Sequence, residues 1–122
     1  MPNYSATTPP FSIYPGDVGT AFNAESPAPP QSSIQFALPQ FTGSHVDQGR
    51  QISWQTSFSA APTAVNVVLQ AADQDADANY STVDTSTNTN GERRQILVRA
   101  RFVRARLVSQ TGAGAITVTI GA

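Results

Sequence analysis

Beyond residue 31, apolar and polar side chains alternate through most of the chain. Ile34, Phe36 and Leu38 alternate with Gln35 and Ala37 up to Pro39, and Ile52, Trp54, Thr56 and Phe58 alternate with Ser53, Gln55 and Ser57. After Pro62 the pattern resumes with Val65, Val67 and Leu69, where Val68 indicates cover on both faces; near the end Ile116, Val118 and Ile120 alternate with Thr117 and Thr119. A period of two sends successive side chains to opposite faces of a strand, so each run predicts a strand with one buried and one wet face. Residues 80–84 predict another short strand. Turn signals separate the runs: a loop over 41–50, an acidic turn over 73–77, a polar loop over 85–91 closing in Asn90-Gly91, and Thr111-Gly112-Ala113-Gly114. No window of eleven or more residues carries a 3.6 period, so helix is expected to be nearly absent. Six or seven strands over about ninety residues predict an all-β fold, a sandwich or a barrel, and an antiparallel β-sandwich of jelly-roll-like kind is the reading adopted. Ile52, Trp54, Phe58, Val65, Val67, Leu69, Val103, Leu107, Val118 and Ile120 are its expected core.

The densest pattern lies in residues 93–109. Ile96, Val98 and Ala100 alternate with Leu97, Arg99 and Arg101; then the phase flips, and Val103, Ala105 and Leu107 alternate with Arg104 and Arg106. A phase flip near Phe102 needs one extra residue, which a β-bulge or a short corner between two strands supplies. Six of the seven arginines sit here, and the chain has no lysine.

Residues 1–31 read differently. They hold seven of the nine prolines with few aliphatics between them, which predicts an extended N-terminal arm ahead of a sandwich body over residues 32–122. Tyr4, Phe11, Ile13, Tyr14, Val18 and Phe22 are its apolar residues. An arm so poor in aliphatics offers little with which to offset the entropy of ordering it on itself, so Tyr4, Phe11, Ile13, Tyr14 and Phe22 are expected to anchor it on a partner.

Composition narrows the chemistry. A chain of 122 residues is one domain. The absence of cysteine rules out disulfides and thiolate metal sites. The first residues lack the basic and apolar regions of a secretory signal, and no apolar run approaches the ~18 residues that span a bilayer, so a soluble protein made in the cytoplasm, without membrane contact, is expected. Only 12% of residues are charged, against roughly 25% in ordinary domains, as suits a protein that lives in an assembly. The net charge of −1 gives no bulk attraction to nucleic acid, which is not expected as a partner.

Residues 73–84 place Asp73, Asp75, Asp77, Asn79, Ser81 and Asp84 in a calcium-loop register, but Ala78 stands where that loop turns on glycine and Asp84 where a bidentate Glu is usual; a solvated turn is the reading adopted. Arg99, Arg101, Arg104 and Arg106 suit planar, bidentate contacts, with salt bridges to Asp73, Asp75, Asp77, Asp84 or Glu92, within the chain or between subunits, as the main expectation. His45 is the single histidine and reads as a loop residue, with no nucleophile elbow or oxyanion loop beside it. Trp54 reads as a core residue. No enzyme, cofactor or metal site is expected.

Trp54 to Phe58, Pro62 to Gln70, the turn over 73–80, and Phe102 to Ser109 with Thr111-Gly112 together resemble a β-sandwich layout of tailed-bacteriophage virion proteins over residues 52–120. With the Pro-rich arm, the resemblance is greatest to capsid cement or decoration proteins. It implies a structural, non-catalytic role on the capsid surface of a virion, after synthesis in the host cytoplasm. The implied partners are the major capsid protein and the chain itself as a homotrimer. Tyr4, Phe11, Ile13, Tyr14, Phe22, Arg99, Arg101, Arg104 and Arg106 are the candidate contact residues. The alternative is a receptor- or glycan-binding module of a fibre or tail, which would present aromatics on the loops 41–50 and 85–91; only Phe41 lies there.

Overall fold

The run with the cleanest alternation, Arg50–Phe58, is the strand around which one of two sheets is built. A computed structural model describes residues 10–14, 16–39 and 50–122. Among them the strands are β1 (Phe11–Ser12), β2 (Val18–Glu25), β3 (Gln31–Ser32), β4 (Phe36–Ala37), β5 (Arg50–Phe58), β6 (Ala64–Ala72), β7 (Ser81–Ser86), β8 (Glu92–Val98), β9 (Phe102–Thr111) and β10 (Ile116–Gly121). One short 3-10 turn, Asp77–Asn79, is the only helical piece of the described residues. The first sheet runs β2-β10-β5-β8; the second runs β1-β4-β9-β6-β7, with β3 also on β9.

If β3 and β4 count as one interrupted strand, the pairing is concentric. β6 pairs with β7, β5 with β8, β3 and β4 with β9, and β2 with β10, all antiparallel. Alternate pairs of this nest fall in different sheets, the arrangement of a jelly roll. The all-β sandwich expected from the pattern is therefore the fold. The inward residues of both sheets meet in one core containing Phe22, Ile52, Trp54, Leu69, Leu107, Val118 and Ile120, with Phe58 packed at its margin. Gly19 has no side chain because none would fit: a Cβ there would lie 2.6 Å from the Phe36 ring on the opposite sheet.

The phase flip near Phe102 is a corner. β8 ends at Val98 in one sheet and β9 begins at Phe102 in the other, so the chain crosses the sandwich through residues 99–101. The corner is held at both ends: the Arg101 N–H donates to Ala72 O at 3.2 Å, and Arg101 O accepts from the Leu38 N–H at 2.7 Å.

The N-terminal boundary needs correcting. Residues 18–25 are not arm but the edge strand β2, paired with β10 from Val18↔Gly121 to Glu25↔Ile116. Phe22 is fully buried and Ile13 nearly so. The physical reason is the partner strand: β10 supplies a backbone ladder and an apolar inner face, so a segment with few aliphatics finds its partner surface within its own chain. β3 (Gln31–Ser32) likewise belongs to the body. The 85–91 loop is shorter than expected, since Thr85 and Ser86 extend β7. It closes on Gly91, whose φ of +81° and a Cβ that would lie 2.5 Å from Thr56 O admit only glycine. No helix of the described residues is long and apolar enough to cross a membrane.

Candidate functional site

Five of the six arginines of residues 93–109 are divided among three places, and Arg93 is exposed on β8. Arg104 faces outward from β9 yet is only 3% exposed, because polar neighbours cover it. Its Nε–H donates to Gln70 Oε1 at 2.8 Å, its Nη1–H to Asp77 Oδ1 at 2.6 Å, and its guanidinium lies 4.1 Å from the centre of the Tyr80 ring. Tyr80 Oη–H donates in turn to Asp75 Oδ1 at 2.9 Å, and Gln35 Nε2–H to Asp75 Oδ2 at 3.1 Å. Next to it Arg106 donates to Ser32 Oγ at 2.7 Å. This network roofs the outer face of the second sheet with the acidic turn, so Asp75 and Asp77 serve as protein acceptors rather than as free ligands. Among the described residues no group of three acids or histidines is placed to hold a metal ion.

The second place is the edge where β7 and β8 face each other across the sandwich. Asp84 of β7 accepts from Trp54 Nε1–H at 2.8 Å and from Arg94 Nε–H at 2.9 Å, and so joins three strands of two sheets. Burial alone would raise the Asp84 carboxyl. The hydrogen bonds from Arg94, Trp54 and the Thr85 N–H, with the Arg94 charge, outweigh it and hold the group below the usual carboxylate range. The same bond and the Asp84 charge raise Arg94. One step further along the edge, Ser86 Oγ–H donates to Glu92 Oε2 at 2.7 Å, and Arg94 Nη1–H also reaches Glu92 at 3.3 Å.

The third place is the corner, where Arg99 and Arg101 are both exposed. Here the β7–β8 edge is not tied. A cleft of about 210 Å³ opens between the sheets, with Ala71, Ala72, Val83, Val98 and Ala100 as its floor and Asp73, Asn79, Ser81 and Arg99 around its rim.

The opposite edge, formed by β1 and β2, leaves large apolar side chains exposed. Phe11 is 57% exposed, Tyr14 53% and Val18 66%. β1 is a two-residue strand added in parallel to β4. The Asp17 carboxylate accepts from the Tyr14 N–H at 3.0 Å and fixes the turn that carries Tyr14. Arg50, the arginine outside the cluster, donates from Nη1 to Ile13 O at 3.2 Å and from Nη2 to Pro39 O, holding this connection against the start of β5.

The fold is shared with a prophage-derived protein. That protein, SPBc2 prophage-derived YomS, matches with a TM-score of 0.52 over 85% of this chain and 92% of its own, at 17% identity, a likeness of fold alone. The K3 cleaved adhesin domain of Lys-gingipain from Porphyromonas gingivalis W83 is more distant, with a TM-score of 0.46 and 10% identity over 86% of this chain and 71% of its own. No protein-family model and no curated protein matches the sequence.

Of the candidate contact residues, Phe11 and Tyr14 are exposed together on one edge, and Arg99 and Arg101 on the corner. Ile13 and Phe22 are consumed by the protein's own core, and Arg104 by the roof network, so none of these three offers a surface to a partner. Arg106 is half-buried against Ser32. Tyr4 and the loop residues Phe41, His45 and Asp47 lie outside the described residues. Val18, counted in the sequence among the apolar residues of the arm, is exposed at the start of β2; sequence reasoning missed Asn79 and Ser81 on the cleft, which read only as part of a calcium-like spacing.

Proposed function

We propose that the protein is a non-catalytic structural protein of a phage particle, a cement or decoration protein on the capsid surface. Its partner is the major capsid protein, and it acts as a homotrimer. One observation carries the reading: Phe11, Tyr14 and Val18 are large apolar side chains left exposed on β1, on the turn after it and at the start of β2. Large apolar side chains grouped on a surface mark a place where another protein sits, and an open sheet edge offers further backbone pairing. The sparse charge of the chain fits a surface spent in an assembly. A jelly-roll fold shared with a prophage-derived protein is in keeping with this role.

The test is binding to capsid shells stripped of this protein. The intact chain should sediment with the shells and raise their melting temperature, and light scattering at micromolar concentration should give a trimer. Phe11→Ser with Tyr14→Ser should fold normally and lose shell binding. Unchanged decoration by that variant would overturn the role of Phe11 and Tyr14. A second reading, a receptor- or glycan-binding module of a fibre or tail, draws its support from the cleft at the untied end of the β7–β8 edge.

A further inference from the structure

The β7–β8 edge is tied at two levels and open at a third. Ser86 with Glu92, then Asp84 with Arg94 and Trp54, close the gap between the sheets. Below them, where β7 begins and β8 ends, no side-chain pair crosses among the described residues. What lies there is the cleft of about 210 Å³, with small aliphatic side chains beneath and Arg99, Asp73, Asn79 and Ser81 around it.

Those four rim side chains are distinguished by what they lack. Their neighbours in the same turn are engaged, Asp75 with Gln35 and Tyr80, and Asp77 with Arg104. Among the described residues, Asp73, Asn79, Ser81 and Arg99 hold no side-chain hydrogen bond or ion pair. The scaffold beneath them is fixed, since the Arg101 N–H clamps the corner to Ala72 O and the 3-10 turn sets Asn79 and Ser81 at the mouth of β7. An apolar floor with a few convergent polar groups is the make-up of a small-ligand site.

The chemistry of the rim selects the ligand. Arg99 offers a donor fork that matches a carboxylate. Asp73 only accepts, while Asn79 and Ser81 both donate and accept, a set that suits adjacent hydroxyl groups. The floor of Ala71, Ala72, Val83, Val98 and Ala100 suits the C–H face of a ring. The volume has room for one ring rather than a chain of them.

We propose that this cleft seats a single acidic sugar residue, a hexuronic acid, with its carboxylate on Arg99 and its hydroxyls on Asp73, Asn79 and Ser81. The proposal rests on the second reading above and is independent of the capsid role. The test is a chemical-shift titration of the isotope-labelled full chain with glucuronic acid, glucose and alanine as separate probes. Glucuronic acid should shift the amides of residues 71–73, 79–83 and 98–100, and glucose should bind about tenfold more weakly for want of the charged contact. Arg99→Gln should bring glucuronic acid down to the level of glucose, and Ser81→Ala should weaken both sugars, each variant keeping the parent melting temperature because both side chains are exposed. Equal binding of the two sugars at the cleft would overturn the acidic specificity and leave a neutral-sugar site. Tighter binding of alanine would replace the sugar with a zwitterion. No localised shift with either sugar would remove both this proposal and the glycan reading that relies on the cleft.

Discussion

Along one edge of the sandwich, where β7 meets β8, charged and hydroxyl side chains span the gap between the sheets; along the other, where β1 and β2 run, Ile13 and Phe22 close the gap from inside and leave Phe11, Tyr14 and Val18 outside. At the two tied levels of the first edge the polar groups find counterparts within the chain, Trp54 N–H on Asp84, Arg94 on Asp84 and Glu92, and Glu92 on Ser86, while Leu97 of β8 stays exposed. At the second, the apolar side chains that remain have no counterpart in the described residues. A polar edge can satisfy itself because hydrogen bonds saturate, whereas exposed apolar side chains are relieved only by being covered. The contrast separates the tied levels of the first edge, which stabilise this molecule, from the apolar side chains of the second, which are free to meet another.

The comparison can be broken most severely at β2. Removing residues 1–25 deletes this strand with Phe22, and since truncating a single buried phenylalanine costs about 3–5 kcal/mol, the shortened chain should show no cooperative melt. Removing residues 1–10 should leave the melt intact. If the chain without residues 1–25 melted like its parent, β2 would be an arm after all. Next in size, Trp54→Ala takes away both a core side chain and the donor to Asp84 and should cost about 3–5 kcal/mol in a denaturant melt; a loss below ~1 kcal/mol would refute its placement.

Asp84→Ala tests the tied edge directly. It leaves the buried Trp54 N–H without an acceptor, at a cost of about 1–3 kcal/mol at neutral pH. The native Asp84 carboxyl lies below its unfolded value, so its contribution is complete above about pH 4 and disappears as pH falls through the native value. The gap in stability between parent and variant should therefore narrow on acidification below that point, and a gap that stayed constant with pH would remove the charge from the account. The smallest effect belongs to the apolar edge: Phe11→Ser with Tyr14→Ser should change stability by less than ~0.5 kcal/mol, while reducing retention on a hydrophobic matrix. A large loss of stability would mean that these rings pack on the body.

The alternation in Ile52–Phe58, Val65–Leu69 and Ile116–Ile120 made the central strands legible, because a regular ladder writes its burial into sequence at period two. β2 escaped for the opposite reason. Register shifts against β10 around Val118 put both Ala21 and Phe22 inside, so the alternation that would have announced a strand is broken where it matters most. Arg104 was legible as an outward residue of β9 but not as a buried one, since its cover comes from Tyr80 and Asp77, more than twenty residues away in a turn. Asp84 sat in plain view within an acidic run, and only the meeting of β5, β7 and β8 gave it a role. The cleft depends on where two sheets fail to meet, which no single strand records.

The concentric pairing also imposes an order in time. The innermost partners, β6 and β7, are separated by one short turn and can zip as soon as both exist, whereas Val18 and Gly121 must find each other across nearly the whole chain. Contacts between distant segments incur loop-closure entropy before they return any stability, so closure should proceed from the centre of the sequence outward. The last event is β2 laying itself along β10. Until then the hydrogen-bonding edge of β10 away from β5 is unpaired, and a neighbour's β2 could take that place as readily as its own. In a crowded assembly reaction, exchange of this strand between copies is the hazard that the nest of strands carries with it.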